Sequence, residues 1–110
     1  MESINKFDQI FFALADPKRR QILDLLSEGP VTVTDLATHF DVGLATISKN
    51  IALLEKADLL YKVKKGRTVY CHMNHDTWLE VAKYVSRVAQ FWQNRLNDLE
   101  QYVNSVSNKK

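Results

Sequence analysis

The sequence predicts a mainly α-helical chain with one small β-hairpin, on three observations. Apolar residues recur at helical spacing in four successive stretches between residues 4 and 57. Residues 60–73 then switch to β-branched and aromatic residues on either side of Lys65-Gly66, the pattern of two strands and a tight turn. Finally, residues 76–106 contain no Gly or Pro and keep an apolar three-four repeat broken only at Arg95.

The first stretch places Ile4, Phe7, Ile10, Phe11 and Leu14 on one face of a helix with a strongly aromatic side. Asp16-Pro17 restarts the chain, because Asp is a favoured N-cap and Pro a favoured first helical residue. The second helix therefore begins at Pro17, turns Ile22, Leu23, Leu25 and Leu26 inward, and stops at Gly29-Pro30. Its cationic opening, Lys18-Arg19-Arg20, opposes the helix dipole and calls for partners, either acidic side chains or DNA. Val31 opens a short extended segment, and Thr32-x-x-Asp35 resembles a capping box for a third helix through Leu36, Ala37 and Phe40.

Asp41-Val42-Gly43 is a turn into a fourth helix that runs to about Ala57, where Asp58 ends it. Ile47, Ile51 and Leu54 share the buried face of this helix, while Thr46, Ser48, Lys49 and Asn50 crowd the other face near its start. Two short helices joined by such a turn, at about 32–57, form a helix-turn-helix, and the hairpin at about 60–73 is its wing. Short donors, acceptors and a cation at the start of the second helix suit base edges and phosphates. The candidate DNA-contacting residues are Leu44, Thr46, Ser48, Lys49 and Asn50, with Lys64, Lys65 and Arg67 at the wing.

Charge and composition bound these readings. A chain of 110 residues with 45% apolar content fits one domain with a real core. A formal net charge of +2 is too mild to imply nucleic-acid binding by itself, but residues 43–70 carry +4, so the rest of the chain is net negative. The single cysteine, Cys71, excludes an intramolecular disulfide and fits a reducing compartment. No signal peptide is visible at the N-terminus, and no apolar run approaches the roughly 20 residues that cross a bilayer. A soluble, cytoplasmic protein is expected.

The final helix, about 76–106, sets Trp78, Val81, Val85, Val88, Trp92, Arg95, Leu99, Tyr102 and Val106 on one seam, of which only Arg95 is not apolar. Such a helix is about 45 Å long, more than a domain of this size covers alone. Its natural partner is the same helix of a second subunit, with the Phe7/Phe11 face of the first helix beside it. Phe7, Phe11, Trp78, Val85, Val88, Trp92 and Leu99 are the candidate dimerisation residues of a homodimer joined through its N- and C-terminal helices. An Asn108-Lys109-Lys110 tail is expected to fray.

Ala13-Leu14-Ala15-Asp16-Pro17-x-Arg19-x-x-Ile22-Leu23-x-Leu25-Leu26, Val33-x-x-Leu36-Ala37, Thr46-Ile47-Ser48-Lys49-x-Ile51-x-x-Leu54 and Gly66-Arg67-Thr68-Val69-Tyr70 follow one another in an order that resembles the ArsR-type winged-helix repressors. The resemblance covers about residues 8–73, and Phe91-Trp92-x-x-Arg95-Leu96-x-x-Leu99-Glu100-x-Tyr102 is similar to a subgroup without metal ligands. It implies a homodimeric transcriptional repressor that binds a short inverted repeat in double-stranded operator DNA. Four departures stand out: Asp41 and Asp58 where the family has Gly, Asn50 where it has His, and Gly43 where it has a Ser N-cap.

Metal and thiol chemistry find little support in the residues. The family's Cys-x-Cys site falls on Val31-Thr32-Val33-Thr34-Asp35-Leu36, which has no thiol, and no second ligand pair accompanies His75, Asp76 and Glu80. Cys71, His72 and His75 form the remaining cluster, but neighbouring strand residues point to opposite faces, which keeps Cys71 and His72 from sharing one ion. No metal and no cofactor is expected, and no nucleophile-base-orienter set or phosphate loop points to an enzyme. A protein-interaction module without DNA binding, a repressor responding through Cys71, His72 and His75, and an unidentified small-molecule effector all stay open at this point.

Overall fold

The computed structural model describes residues 2–107, with side chains described from Lys6 onward. The Asn108-Lys109-Lys110 tail and the side chain of Ile4 lie outside the described residues. The elements run α1 (Glu2–Leu14), α2 (Pro17–Leu26), β1 (Val31–Thr32), α3 (Val33–Phe40), α4 (Leu44–Lys56), β2 (Leu60–Lys65), β3 (Thr68–Met73) and α5 (His75–Ser107). The chain divides into two compact units between Thr77 and Trp78.

The first unit is built around the apolar faces of its helices. Ile10, Ile22, Leu36, Ile47, Ile51, Leu54, Leu59 and Leu60 are each no more than 2% exposed. Burial of side chains this large contributes roughly 1.5–3 kcal/mol apiece. The i, i+4, i+7 set Ile47, Ile51 and Leu54 is what orients α4, because burying that stripe leaves the opposite face of the helix in solvent.

Helix ends follow local chemistry. The Asp16 carboxylate accepts from the backbone N–H of Lys18 at 2.8 Å, and Pro17 opens α2. Thr32 Oγ1 accepts from the N–H of Asp35 at 3.1 Å and caps α3. α2 itself ends at Leu26, earlier than the Gly29-Pro30 stop that the sequence predicts. Ser27, Glu28 and Gly29 make a turn of shorter-range bonds before Gly29 swings to φ +141°.

The two Asp residues that stand where glycine is usual both adopt the left-handed conformation, Asp41 at φ 52° and Asp58 at φ 63°. After each, the next residue's N–H reaches back five positions, Val42 to Ala37 at 3.3 Å and Leu59 to Leu54 at 3.0 Å. Both helices thus close with a Schellman motif in which a short polar side chain replaces glycine.

The sheet has three antiparallel strands in the order β1-β3-β2. The hairpin expected from the sequence gains a third strand, because Val31 and Thr32 pair with Cys71 and Tyr70. Lys65 pairs with Thr68, so the turn falls on Gly66-Arg67, one residue later than the sequence reading placed it. Gly66, at φ 64°, takes the positive-φ first position that a two-residue hairpin turn requires.

The second unit is the long helix from Trp78 onward. Along its seam Val85, Val88, Trp92, Leu99, Tyr102 and Val106 all stand exposed, Trp92 at 59%. Arg87 lies over the Tyr84 ring and Arg95 over the Phe91 ring, at 5.9 and 5.3 Å from the centroids. Each cation therefore covers part of an aromatic ring on its own helix. Among the described residues no helix is long and apolar enough to cross a membrane.

Candidate nucleic-acid interface

Because Ile47, Ile51 and Leu54 point inward, Leu44, Thr46, Ser48 and Lys49 are exposed together on the first two turns of α4. Gly43 is the N-cap and contributes no side-chain bond, so the start of the helix is not covered by its own cap. The five candidates on α4 do not share one environment: four are exposed, and Asn50 is half-buried.

The wing lies on the same side of this unit. A cleft of about 390 Å³ is lined by Thr32 and Thr34 at the start of α3, Ser48 on α4, and Lys62, Arg67 and Thr68 on the hairpin. Hydroxyls from four elements and two cations therefore face one space. Lys64, Lys65 and Arg67 are all exposed, with the Lys65 ammonium 5.8 Å from the Tyr70 ring centroid. Lys62 is engaged by Glu55 at 3.3 Å, which joins the last turns of α4 to the root of the wing. Thr32, Thr34 and Thr68 are not among the DNA-contact candidates of the sequence, where Thr32 figures only as a helix cap and Thr68 only in the wing motif; their hydroxyls meet only because the cleft brings them together.

The cationic start of α2 finds its partners inside the protein. Arg19 Nε donates to the Ala13 carbonyl at 2.7 Å and Nη2 to that of Phe12 at 3.1 Å, while Arg20 Nη1 donates to that of Leu14 at 2.6 Å. These are carbonyls of the last turn of α1, at the end of the helix where its dipole favours cations; that of Phe12 also accepts from the Ala15 N–H at 3.2 Å. The dipole conflict noted in the sequence is thus resolved by a neighbouring helix C-terminus. Arg19 Nη1 also faces Asn50 Oδ1 and Asp16 Oδ2, each at 3.5 Å. The Asn50 amide in turn donates to the Thr46 carbonyl at 3.2 Å.

Cys71 is fully buried on β3, and burial pushes its thiol up to about 11, outweighing the opposing pull of Lys62. His72, on the opposite strand face, stacks on Tyr61 with ring centroids 5.1 Å apart. His75 is exposed at the start of α5. Among the described residues no three His, Cys, Asp or Glu side chains come together as a metal-holding group.

Of the candidate dimerisation residues, Phe7 and Phe11 stack along α1 at 6.1 Å. Trp78 is half-buried, and Val85, Val88, Trp92 and Leu99 are exposed on α5.

A helix-turn-helix domain family matches residues 14–63. The transcriptional repressor SdpR of Bacillus subtilis is 37% identical over 67 residues, covering 61% of this chain and 74% of that protein. An ArsR-like transcriptional regulator from Rhodococcus sp. RHA1 superposes with a TM-score of 0.76 at 25% identity, covering 93% of this chain and 96% of its own. The homodimeric winged helix-turn-helix DNA-binding domain of a possible ArsR-family regulator from Mycobacterium bovis superposes with a TM-score of 0.68 at 28% identity, covering 81% and 82%.

Proposed function

Because this chain belongs to the ArsR family of winged helix-turn-helix transcriptional regulators, DNA-binding proteins and not enzymes, we propose that it is a homodimeric repressor that reads an inverted-repeat operator in the cytoplasm. The observation that carries this reading is the shared cleft. Ser48 on the exposed start of α4 and Arg67 at the wing tip line one space, so a duplex laid against α4 also meets the wing. The helix-turn-helix, the wing and the long helix are read as parts of one functional domain.

In this reading α4 enters the major groove. Thr46 and Ser48 meet base edges and Leu44 meets a thymine methyl. Lys49, Lys64, Lys65 and Arg67 meet phosphates, which set register and affinity without carrying sequence information. The exposed α5 seam and the Phe7/Phe11 face of α1 are covered by a second copy. Two-fold symmetry then places the reading heads in successive major grooves, about 34 Å apart.

The test is selection of bound duplexes from random sequence by the full chain. A two-fold symmetric site is expected, with affinity that falls steeply as salt rises. Ser48→Ala and Thr46→Ala should each weaken operator binding about tenfold while leaving binding to random DNA unchanged. Arg67→Ala should weaken both and lower the salt slope by about one. Absence of any salt-sensitive shift at micromolar protein would overturn the reading in favour of a protein-interaction module.

A further inference from the structure

We propose that Arg19 and Asn50 form a latch that sets the pose of the recognition helix, with Asn50 positioning α4 rather than reading a base. The proposal rests on α4 being that helix.

Arg19 is only 8% exposed, and a buried guanidinium is stable only when its donors are occupied. Two go to the last turn of α1 through the carbonyls of Ala13 and Phe12. A third edge faces Asn50 on α4 and Asp16 at the head of α2. The Phe12 ring packs against the guanidinium at 5.4 Å. Arg19 therefore joins α1, α2 and α4 through one planar, rigid group, a geometry that a lysine's point charge does not reproduce. Asp16 serves both ends of the arrangement: Oδ1 caps α2 at Lys18 while Oδ2 faces Arg19.

Asn50 reads a base by presenting its oxygen and its nitrogen together, as in the bidentate pair with adenine. Here its oxygen faces Arg19 and its nitrogen donates to the Thr46 carbonyl one turn earlier. One edge of the amide is thus engaged inside the protein, through its oxygen to Arg19 and one N–H to Thr46, and the bond to Thr46 ties the turn that carries the exposed readers to the C-terminus of α1. Displacement of α1 is transmitted to that turn through Arg19.

Two readouts on the full chain test this. The first needs no DNA: amide hydrogen exchange across residues 46–51 should quicken severalfold in Asn50→Ala and in Arg19→Lys, with the rest of the core protected as before. Unchanged exchange in this turn overturns the latch. The second uses DNA selected by the wild-type chain. Asn50→Ala and Arg19→Lys should each bind it about five- to tenfold more weakly, and the double variant should lose no more than either single one. Base preference at every operator position should stay as in wild type. A preference lost at one position in Asn50→Ala, or losses that add in the double variant, overturns the proposal. If Arg19→Lys fails to fold, Asn50→Ala alone decides through its exchange and its base-preference profile. If the wild-type chain selects no sequence, the DNA-reading function fails, and the exchange measurement still decides the latch.

Discussion

Glu55 on α4 and Lys62 on β2 meet at 3.3 Å, tying the last turns of that helix to the root of the wing. Both side chains are about 40% exposed, so water screens the pair and its contribution to stability is small, at most about 1 kcal/mol. Its consequence is electrostatic: Lys62 lines the cleft beside Ser48 and Arg67 with its charge already balanced by a carboxylate.

Glu55→Gln should therefore change DNA binding more than folding. With the carboxylate neutralised, Lys62 is free to meet a phosphate, and binding to random DNA should tighten while the salt slope steepens by about one. Stability should change by less than about 1 kcal/mol. Titrations of random duplex across a salt series, beside thermal unfolding, check both statements.

The apolar seam of α5 should govern assembly. Trp92→Ala and Leu99→Ala remove large exposed apolar side chains and should each raise the dimer dissociation constant about thirtyfold or more, the scale of an interface hot spot. Thermal unfolding of the residues 1–77 unit should persist. Sedimentation equilibrium measures the first effect and circular dichroism the second.

Cys71 makes stability depend on alkaline pH in a known direction. Its thiol ionises near 9.0 when unfolded and near 11 when folded, so the native state holds the proton more tightly and its advantage is complete below pH 9. As pH rises from 9 through 11 the unfolded state ionises first, and about 2 kcal/mol of stability should be lost. Denaturant unfolding at pH 8 and pH 11 tests this, with Cys71→Ala losing that much less over the same interval. Slow alkylation of the native thiol should accompany it.

The two left-handed aspartates are sites of built-in cost. Asp41→Gly and Asp58→Gly place a residue without Cβ at φ 52° and φ 63°. Each should raise stability by about 0.5 kcal/mol, relief of strain being partly offset by glycine's greater freedom when unfolded. Denaturant midpoints measured at constant slope check the sign.

Much of the fold was legible in residue order. Asp16-Pro17 marks the start of α2, Thr32 caps α3, and Ile47, Ile51 and Leu54 declare the buried face of α4; each is a local rule about capping or period that needs no distant partner. The Gly66-Arg67 turn and the end of α2 at Leu26 were misplaced by one and a few residues. Strand register depends on pairing across the chain, which adjacent residues do not encode, and the end of α2 passes into a turn of shorter-range bonds before Gly29. β1 is the clearest case: two residues become a strand only because β3 offers Cys71 and Tyr70 opposite them.

The sequence by itself determined the helix-turn-helix, the wing and the segregation of positive charge, because periodicity, caps and turn residues act over a few positions; the family entered through the resemblance of its ordered motifs and not through these local rules. Tertiary structure alone decided which polar residues are available for contact. Lys18-Arg19-Arg20 looked like a cationic cluster awaiting an anion, yet Arg19 and Arg20 donate to the carbonyls that end α1. Asn50 looked like one more polar residue on an exposed face, yet it stands half-buried opposite Arg19, 31 positions away in the chain. Local pattern tells which face of a helix a residue occupies. Only packing tells whether its hydrogen-bonding groups are already taken, because a buried charge must find donors and acceptors wherever the fold brings them.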